Sequence, residues 1–245
     1  MKTVVLLHGW GSGPAVFDDL AARLRERHAV CVPALPGYDS SPACEPYTLA
    51  TLAREVAASA PERCGVVGWS LGAHVALEWS RSRPAQVERL ALIAATPSFV
   101  RRADWDAGLE ASTVRSFADL LRDDPHEALE RFTFLQAQGD RAVKRVMLAL
   151  RATSTADALP PHAALEQGLE ILRDADLRAA LSDIAQRTLV VHGENDRLVP
   201  AGAARALAQR LPRARLELLG GLAHAPFISE PALVARLLLE HFDAR

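Results

Sequence analysis

The chain has 245 residues, 49% of them hydrophobic and 24% charged, with 28 basic against 30 acidic side chains. That length suits one or two domains with a substantial core, and the composition excludes a disordered or collagen-like polypeptide. A formal net charge of −2 lacks the basic excess that wholesale binding to nucleic acid or to an anionic membrane requires.

The apolar run at residues 3–7 stops at His8-Gly9, too short for a secretory signal and without a small-residue cleavage site. No stretch approaches the ~18 apolar residues of a membrane span. Cys31, Cys44 and Cys64 are odd in number, with no CxxC spacing and no nearby His pair. They predict free, mostly buried thiols rather than a disulfide framework or a zinc site. A cytoplasmic protein fits these features.

Nearly all-apolar runs predict strands at 3–7, 29–33, 64–68, 88–94, 187–192 and 214–219, as expected of parallel strands covered on both faces. Amphipathic stretches at 15–27, 48–58, 71–82, 201–210 and 231–242 predict helices, with Pro200 and Pro231 as start signals. Strand and helix in alternation mean βαβ units and a parallel sheet. The rhythm breaks over 98–174, which holds no good strand and reads as several helices, punctuated at Pro125, Gly139 and Pro160-Pro161. The expected organisation is an α/β core over 1–97 and 175–245 with a helical lid over 98–174. Charge in the lid is segregated. Residues 104–130 carry eight acidic and two basic side chains, whereas 131–151 carry five basic (Arg131, Arg141, Lys144, Arg145, Arg151) and one acidic (Asp140).

Gly68-Trp69-Ser70-Leu71-Gly72 is a G-x-S-x-G following a strand and opening a helix. A tight strand-to-helix turn strains the serine backbone, and the flanking glycines remove side chains that would clash. Ser70 then projects from the top of the sheet as a candidate nucleophile. The Leu71 N–H, at the helix start, points to a developing oxyanion.

A serine nucleophile needs a base, and the base an orienting acid. Of eight histidines, His28, His126, His162 and His241 fall on predicted surfaces. His74 runs along the helix after Ser70, while His8 and His192 close strands and read as structural. His224 lies in a loop beyond the last strand, at the edge where C-terminal strand ends gather and reacting groups collect; it is the expected base. Glu194 and Asp196 both follow the preceding strand. Asp196 is preferred, because the chain must first turn at Gly193 before a short carboxylate can face back. Ser, Asp, His is also the chain order of an α/β-hydrolase triad. The second oxyanion donor is expected in the glycine-rich loop 8–13, from the Trp10 N–H. That loop matches neither GxxxxGK[ST] nor GxGxxG, which argues against nucleotide binding. Chemistry of this kind needs no metal and no cofactor.

With these residues assembled, the chain resembles the α/β-hydrolases over essentially its whole length. Within them it is most similar to the pimeloyl-[acyl-carrier protein] methyl ester esterases of biotin synthesis. The segments carrying that likeness are LLHGWG at 6–11, GWSLG at 68–72, ERFTFLQ at 130–136, GLEILRDADLR at 168–178 and AHAPFISEP at 223–231. The resemblance implies hydrolysis of a methyl ester on a carrier-bound acyl chain by a cytoplasmic monomer. It implies that Phe132, Thr133, Phe134, Leu135 and Gln136 line an acyl channel, and that Arg131 and nearby cations meet an acidic acyl-carrier protein. Arg141, Lys144 and Arg145, at i, i+3 and i+4, would share one helix face and suit such a partner. Strand one begins at residue 3, so the sheet should be smaller at its N-terminal edge than in many relatives. Ala73 stands where relatives often have a second glycine, and Pro36-Gly37-Tyr38-Asp39 departs from the commoner PGFG. Small esters are further expected substrates. Rival readings are a broad short-chain carboxylesterase, a thioesterase, a carbon–carbon bond hydrolase, and a non-catalytic binding protein on the same fold. Serine at position 70 argues against the dehalogenases and epoxide hydrolases, which place aspartate there.

Overall fold

The computed structural model describes residues 2–153 and 161–244. Six strands form one sheet: β1 (Thr3–Leu7), β2 (Ala29–Cys31), β3 (Cys64–Trp69), β4 (Val87–Ile93), β5 (Arg187–Gly193) and β6 (Ala214–Leu219). They lie in the order β2-β1-β3-β4-β5-β6. Every pairing is parallel, as the alternation of strand and helix predicts. The six predicted strands all form. β2 is shorter than expected, three residues instead of five, because it is the sheet edge and only Val30 is shielded. A short edge of this kind offers little backbone for unwanted pairing.

Alternate residues of the central strands feed two separate cores. Val5, Leu7, Val66, Leu90 and Val190 pack with α2 (Leu49–Ser59), α3 (Leu71–Ser82) and α8 (Ala201–Arg210). Val4, Leu6, Val67, Ile93 and Val191 pack on the opposite face with α1 (Asp18–Leu24) and α10 (Pro231–Asp243). The helix expected over 15–27 is divided, a 3₁₀ turn at Pro14–Phe17 leading into α1. Proline at its start suits the tighter turn.

Between β4 and β5 the described residues form four α-helices, α4 (Ala111–Asp123), α5 (Pro125–Ala137), α6 (Val143–Ala152) and α7 (His162–Asp174), and a 3₁₀ turn at Arg178–Asp183. Asp124 caps α5 by accepting the Glu127 N–H at 2.9 Å, with Pro125 in the first turn where its missing donor is harmless. Pro161 precedes α7, while Pro160 lies outside the described residues. Among the described residues no helix is long and apolar enough to cross a membrane.

Three expectations need correction. Cys64 is buried, but Cys44 is only half-buried and Cys31 is exposed on β2, because an edge strand leaves one face open. His28 is not a surface residue: it is 3% exposed, packed edge-on against Phe242 with Asp243 at 3.3 Å. His241 is also largely enclosed, and burial beside Arg89 lowers its pKa to about 4.

Candidate active site

The turn from β3 into α3 brings two backbones closer than side chains permit. A Cβ on Gly72 would lie 2.2 Å from the Leu7 carbonyl oxygen, and one on Gly68 would lie 2.4 Å from that of Gly72. Ser70, between them, takes φ 54° and ψ −117°, a conformation that costs about 1–3 kcal/mol and persists only where its surroundings enforce it. The Ser70 N–H donates to Ile93 at 3.1 Å, which fixes the strained residue to β4. Leu71 opens α3, so its N–H is among those a helix leaves without an intrahelical acceptor. The loop after β1 crosses close by: a Cβ on Gly9 would sit 3.2 Å from Ser70 Cβ. Trp10 is next in that loop, its indole donating to the Leu165 carbonyl of α7 at 2.8 Å.

The loops after β5 and β6 are laid against each other. Gly193 permits this, since a Cβ there would meet the Ala223 carbonyl oxygen at 2.2 Å. Glu194 N–H then donates to Leu219 and Asn195 N–H to Leu222. Glu194 faces solvent, whereas Asp196 is 4% exposed. One Asp196 oxygen accepts the N–H groups of Leu198 and Val199 at 2.9 and 3.0 Å. The other lies 2.8 Å from His224 Nδ1. Burial opposes charge on Asp196, but His224, His192 and the Val199 N–H together outweigh it and hold the carboxyl below the usual carboxylate range. A carboxylate at that distance accepts the Nδ1 proton and leaves Nε2 as the acceptor. His224 Nε2 is buried and has no partner within the described chain. An unpartnered basic nitrogen and a strained serine at the same sheet edge can perform nucleophilic acyl transfer.

Three other buried histidines make backbone contacts of their own. His8 Nε2 accepts the Leu35 N–H at 3.0 Å and its Nδ1 pairs with the Gly9 carbonyl. His74 Nδ1 faces the Ser70 carbonyl, not its hydroxyl. His192 donates from Nε2 to Val199 at 2.8 Å, and burial lowers its pKa. Burial also lowers His8 and His74 from 6.5 to about 4 each. Both therefore stay neutral when folded and protonate near 6.5 only in the unfolded chain. Stability should be fully present above pH 6.5 and fall as pH drops toward 4, by up to about 1.4 kcal/mol per histidine per pH unit. Urea midpoints at pH 7.5 and 5 check this; equal midpoints would refute it.

Trp69, beside the serine, has a role that its motif position alone does not reveal. Its indole N–H donates to the His224 carbonyl at 2.9 Å and its ring meets Phe227 edge-on at 5.1 Å. The residue preceding Ser70 thus anchors the loop that carries His224. Only the tryptophan in GWSLG hinted at it.

Of residues 132–136, Phe132 and Leu135 line a narrow cavity with Phe117 and Leu169 of the facing helices and Leu198 of the Asp196 loop. Phe132 also packs on Trp10, ring centres 4.8 Å apart. Thr133 and Gln136 are buried outside that lining. Phe134 points outward and is 45% exposed, because a helix turning every 3.6 residues cannot present five consecutive side chains to one cavity. The basic stripe is likewise reduced. Arg141 precedes α6 and pairs with Glu230, and Arg145 reaches the Ser229 carbonyl. Arg131 and Lys144 are exposed and form no ion pair among the described residues. No cluster of three His, Cys, Asp or Glu among them is disposed to hold a metal ion.

The model of the alpha/beta hydrolase family matches residues 4–237. The chain belongs to that family. It is 44% identical over 240 residues to the pimeloyl-[acyl-carrier protein] methyl ester esterase of Aromatoleum aromaticum, covering 96% of each chain. It is 41% identical to the protein of that name from Nitrosomonas europaea, covering 93% of this chain and 90% of the relative. Among solved structures, an esterase from Exiguobacterium antarcticum superposes with a TM-score of 0.89 at 24% identity, covering 100% of this chain and 92% of the other. An enol-lactonase from Burkholderia xenovorans gives 0.85 at 19% identity, covering 99% and 92%; these two likenesses concern the fold alone. The chain is a serine-dependent ester hydrolase of the family.

Proposed function

We propose that this esterase hydrolyses the methyl ester of a pimeloyl chain carried on an acyl-carrier protein, releasing methanol. The observation that carries the chemistry is the 2.8 Å contact between His224 Nδ1 and Asp196, on a loop tied to Trp69, the residue before Ser70. The substrate is supported by the names of the relatives at 41% and 44% identity. In this reading His224 Nε2 takes the Ser70 proton as Oγ attacks the ester carbonyl. Asp196 stabilises the imidazolium, and the Trp10 and Leu71 N–H groups receive the oxyanion. The imidazolium then protonates departing methoxide, giving methanol and an acyl-serine. Water, deprotonated by the same His224, releases the carboxylate and restores Ser70. The acyl chain lies along Phe132 and Leu135, and Arg131 and Lys144 meet the acidic carrier. The enzyme works in the cytoplasm as a monomer.

The test offers methyl pimeloyl-carrier beside a short aryl ester. Reversing both exposed cations, Arg131→Glu with Lys144→Glu, should lower kcat/KM for the carrier-bound ester by about tenfold or more while sparing the aryl ester, with the gap narrowing at high salt. Absence of activity on the carrier-bound ester in the wild type would leave a broad short-chain esterase in its place. An unchanged ratio in the double variant would remove the two cations from the carrier contact.

A further inference from the structure

Asp140 lies in the turn between α5 and α6 and is 5% exposed. Its Oδ1 accepts the Ala142 N–H two residues on at 2.8 Å, an ordinary Asx turn ahead of α6. Its Oδ2 looks the other way. It accepts the Ala223 N–H and the Ser229 hydroxyl, each at 2.8 Å. Ala223 immediately precedes His224, and Ser229 ends α9 (Pro226–Ser229), the short helix that immediately follows this stretch. A single carboxylate oxygen therefore ties down both stems of the loop that carries His224.

Neighbouring backbone groups act in the same direction. The Gln136 carbonyl accepts the His224 N–H at 3.3 Å, and the Arg141 N–H donates to the Gly221 carbonyl at 2.8 Å. The Gly139 carbonyl accepts from Asn195 Nδ2 at 2.8 Å, one residue before Asp196. Residues 136–141 of the lid thus grip both the loop after β5 and the loop after β6. The local turn onto the Ala142 N–H alone would need only one Asp140 oxygen. A buried carboxylate is tolerated only when its lone pairs are filled, and here two of the three donors belong to the His224 segment. Hydrogen bonds to a charged acceptor are also about twice as strong as neutral ones.

We propose that Asp140 is a positioning residue, holding the His224 loop so that the imidazole spans Asp196 and Ser70. The proposal rests on the assignment of His224 as the base. It gives the lid a second task beside covering the acyl chain, for the α5–α6 turn completes the catalytic geometry from above. Because the acyl chain lies against Phe132 and Leu135 instead, disturbing Asp140 should slow chemistry without weakening binding.

The experiment compares wild type, D140A, D140N and S70A as full chains on a short aryl ester, each well below its unfolding midpoint. D140A should lower kcat by about 10²-fold, the typical penalty for misplacing a reacting group by an ångström, with KM changed by less than about twofold. D140N keeps a carbonyl oxygen for Ala223 and Ser229 and should fall between D140A and wild type. The downfield proton NMR signal of His224 Nδ1–H should weaken in D140A and recover in D140N. Wild-type kcat in folded D140A, or a loss confined to KM, overturns the proposal. If D140A does not fold, S229A, which removes one of the two bonds from Asp140 Oδ2, decides, and wild-type kcat with an unchanged Nδ1–H signal there overturns it. Turnover surviving in S70A would instead remove the underlying triad assignment, whereas an inactive S70A beside a fully active D140A removes only the role of Asp140.

Discussion

Replacing Ser70 by alanine is expected to lower kcat by roughly 10⁶-fold, the scale at which loss of a serine nucleophile leaves only oxyanion stabilisation and binding. Folding should survive, because alanine is smaller than serine and the φ of 54° is enforced by the packing of Gly68 and Gly72 rather than by the hydroxyl. Steady-state turnover of an aryl ester and labelling by a fluorophosphonate probe both measure it. Labelling of the variant at the wild-type rate, or turnover within about tenfold of wild type, would dismiss Ser70 as the nucleophile.

Asp196→Asn is the second large effect, expected at about 10⁴-fold in kcat with little loss of stability. The two Asp196 oxygens have different duties, and this makes the outcome specific. One accepts the Leu198 and Val199 N–H groups, a role that the amide oxygen of asparagine can keep. The amide nitrogen must then face His224 Nδ1, where it donates instead of accepting. That forces the imidazole proton onto Nε2, toward Ser70, and the ring can no longer act as a base. Fold and geometry persist while the tautomer is wrong. Thermal unfolding and kcat/KM on the same preparation separate the two, and a variant keeping more than about a tenth of wild-type activity would place the orienting acid elsewhere.

The parallel core was legible because strands buried on both faces are apolar at nearly every position, a purely local signal. The elbow and the two loops after β5 and β6 were legible for a related reason: their residue types are dictated by turns whose geometry is also local. What escaped depends on contacts between distant segments. Asp140 stood out only as the one acidic residue among five cations, which reads as a solvated face, whereas it is buried against residues more than eighty positions away. Arg141 shares helical spacing with Lys144 and Arg145, yet it precedes α6 and is occupied by Glu230. Phe134 belongs to an apolar run, but the run is helical and its third residue turns outward. His28 looks like the end of a surface helix, and only the return of α10 buries it.

The all-parallel sheet also bears on why the chain can carry a long helical segment at one point. Every strand pair closes a crossover, and none can start from a hairpin. The crossover from β4 to β5 is the longest, yet Arg89 still pairs with Arg187 in unbroken register through to Ile93 and Val191. Closure entropy grows only with the logarithm of length, so a crossover roughly five times longer than its neighbour between β3 and β4 adds about 1.5 kcal/mol. The added segment leaves β4 beside Ser70, whose N–H bonds to Ile93, and the two stems of its helices meet where the Leu177 N–H donates to the Pro97 carbonyl at 2.8 Å. An insertion here is thus thermodynamically inexpensive and starts beside Ser70, so the junction between β4 and β5 is where a chain of this topology can alter what covers that residue by lengthening or replacing one segment while its sheet stays as it is.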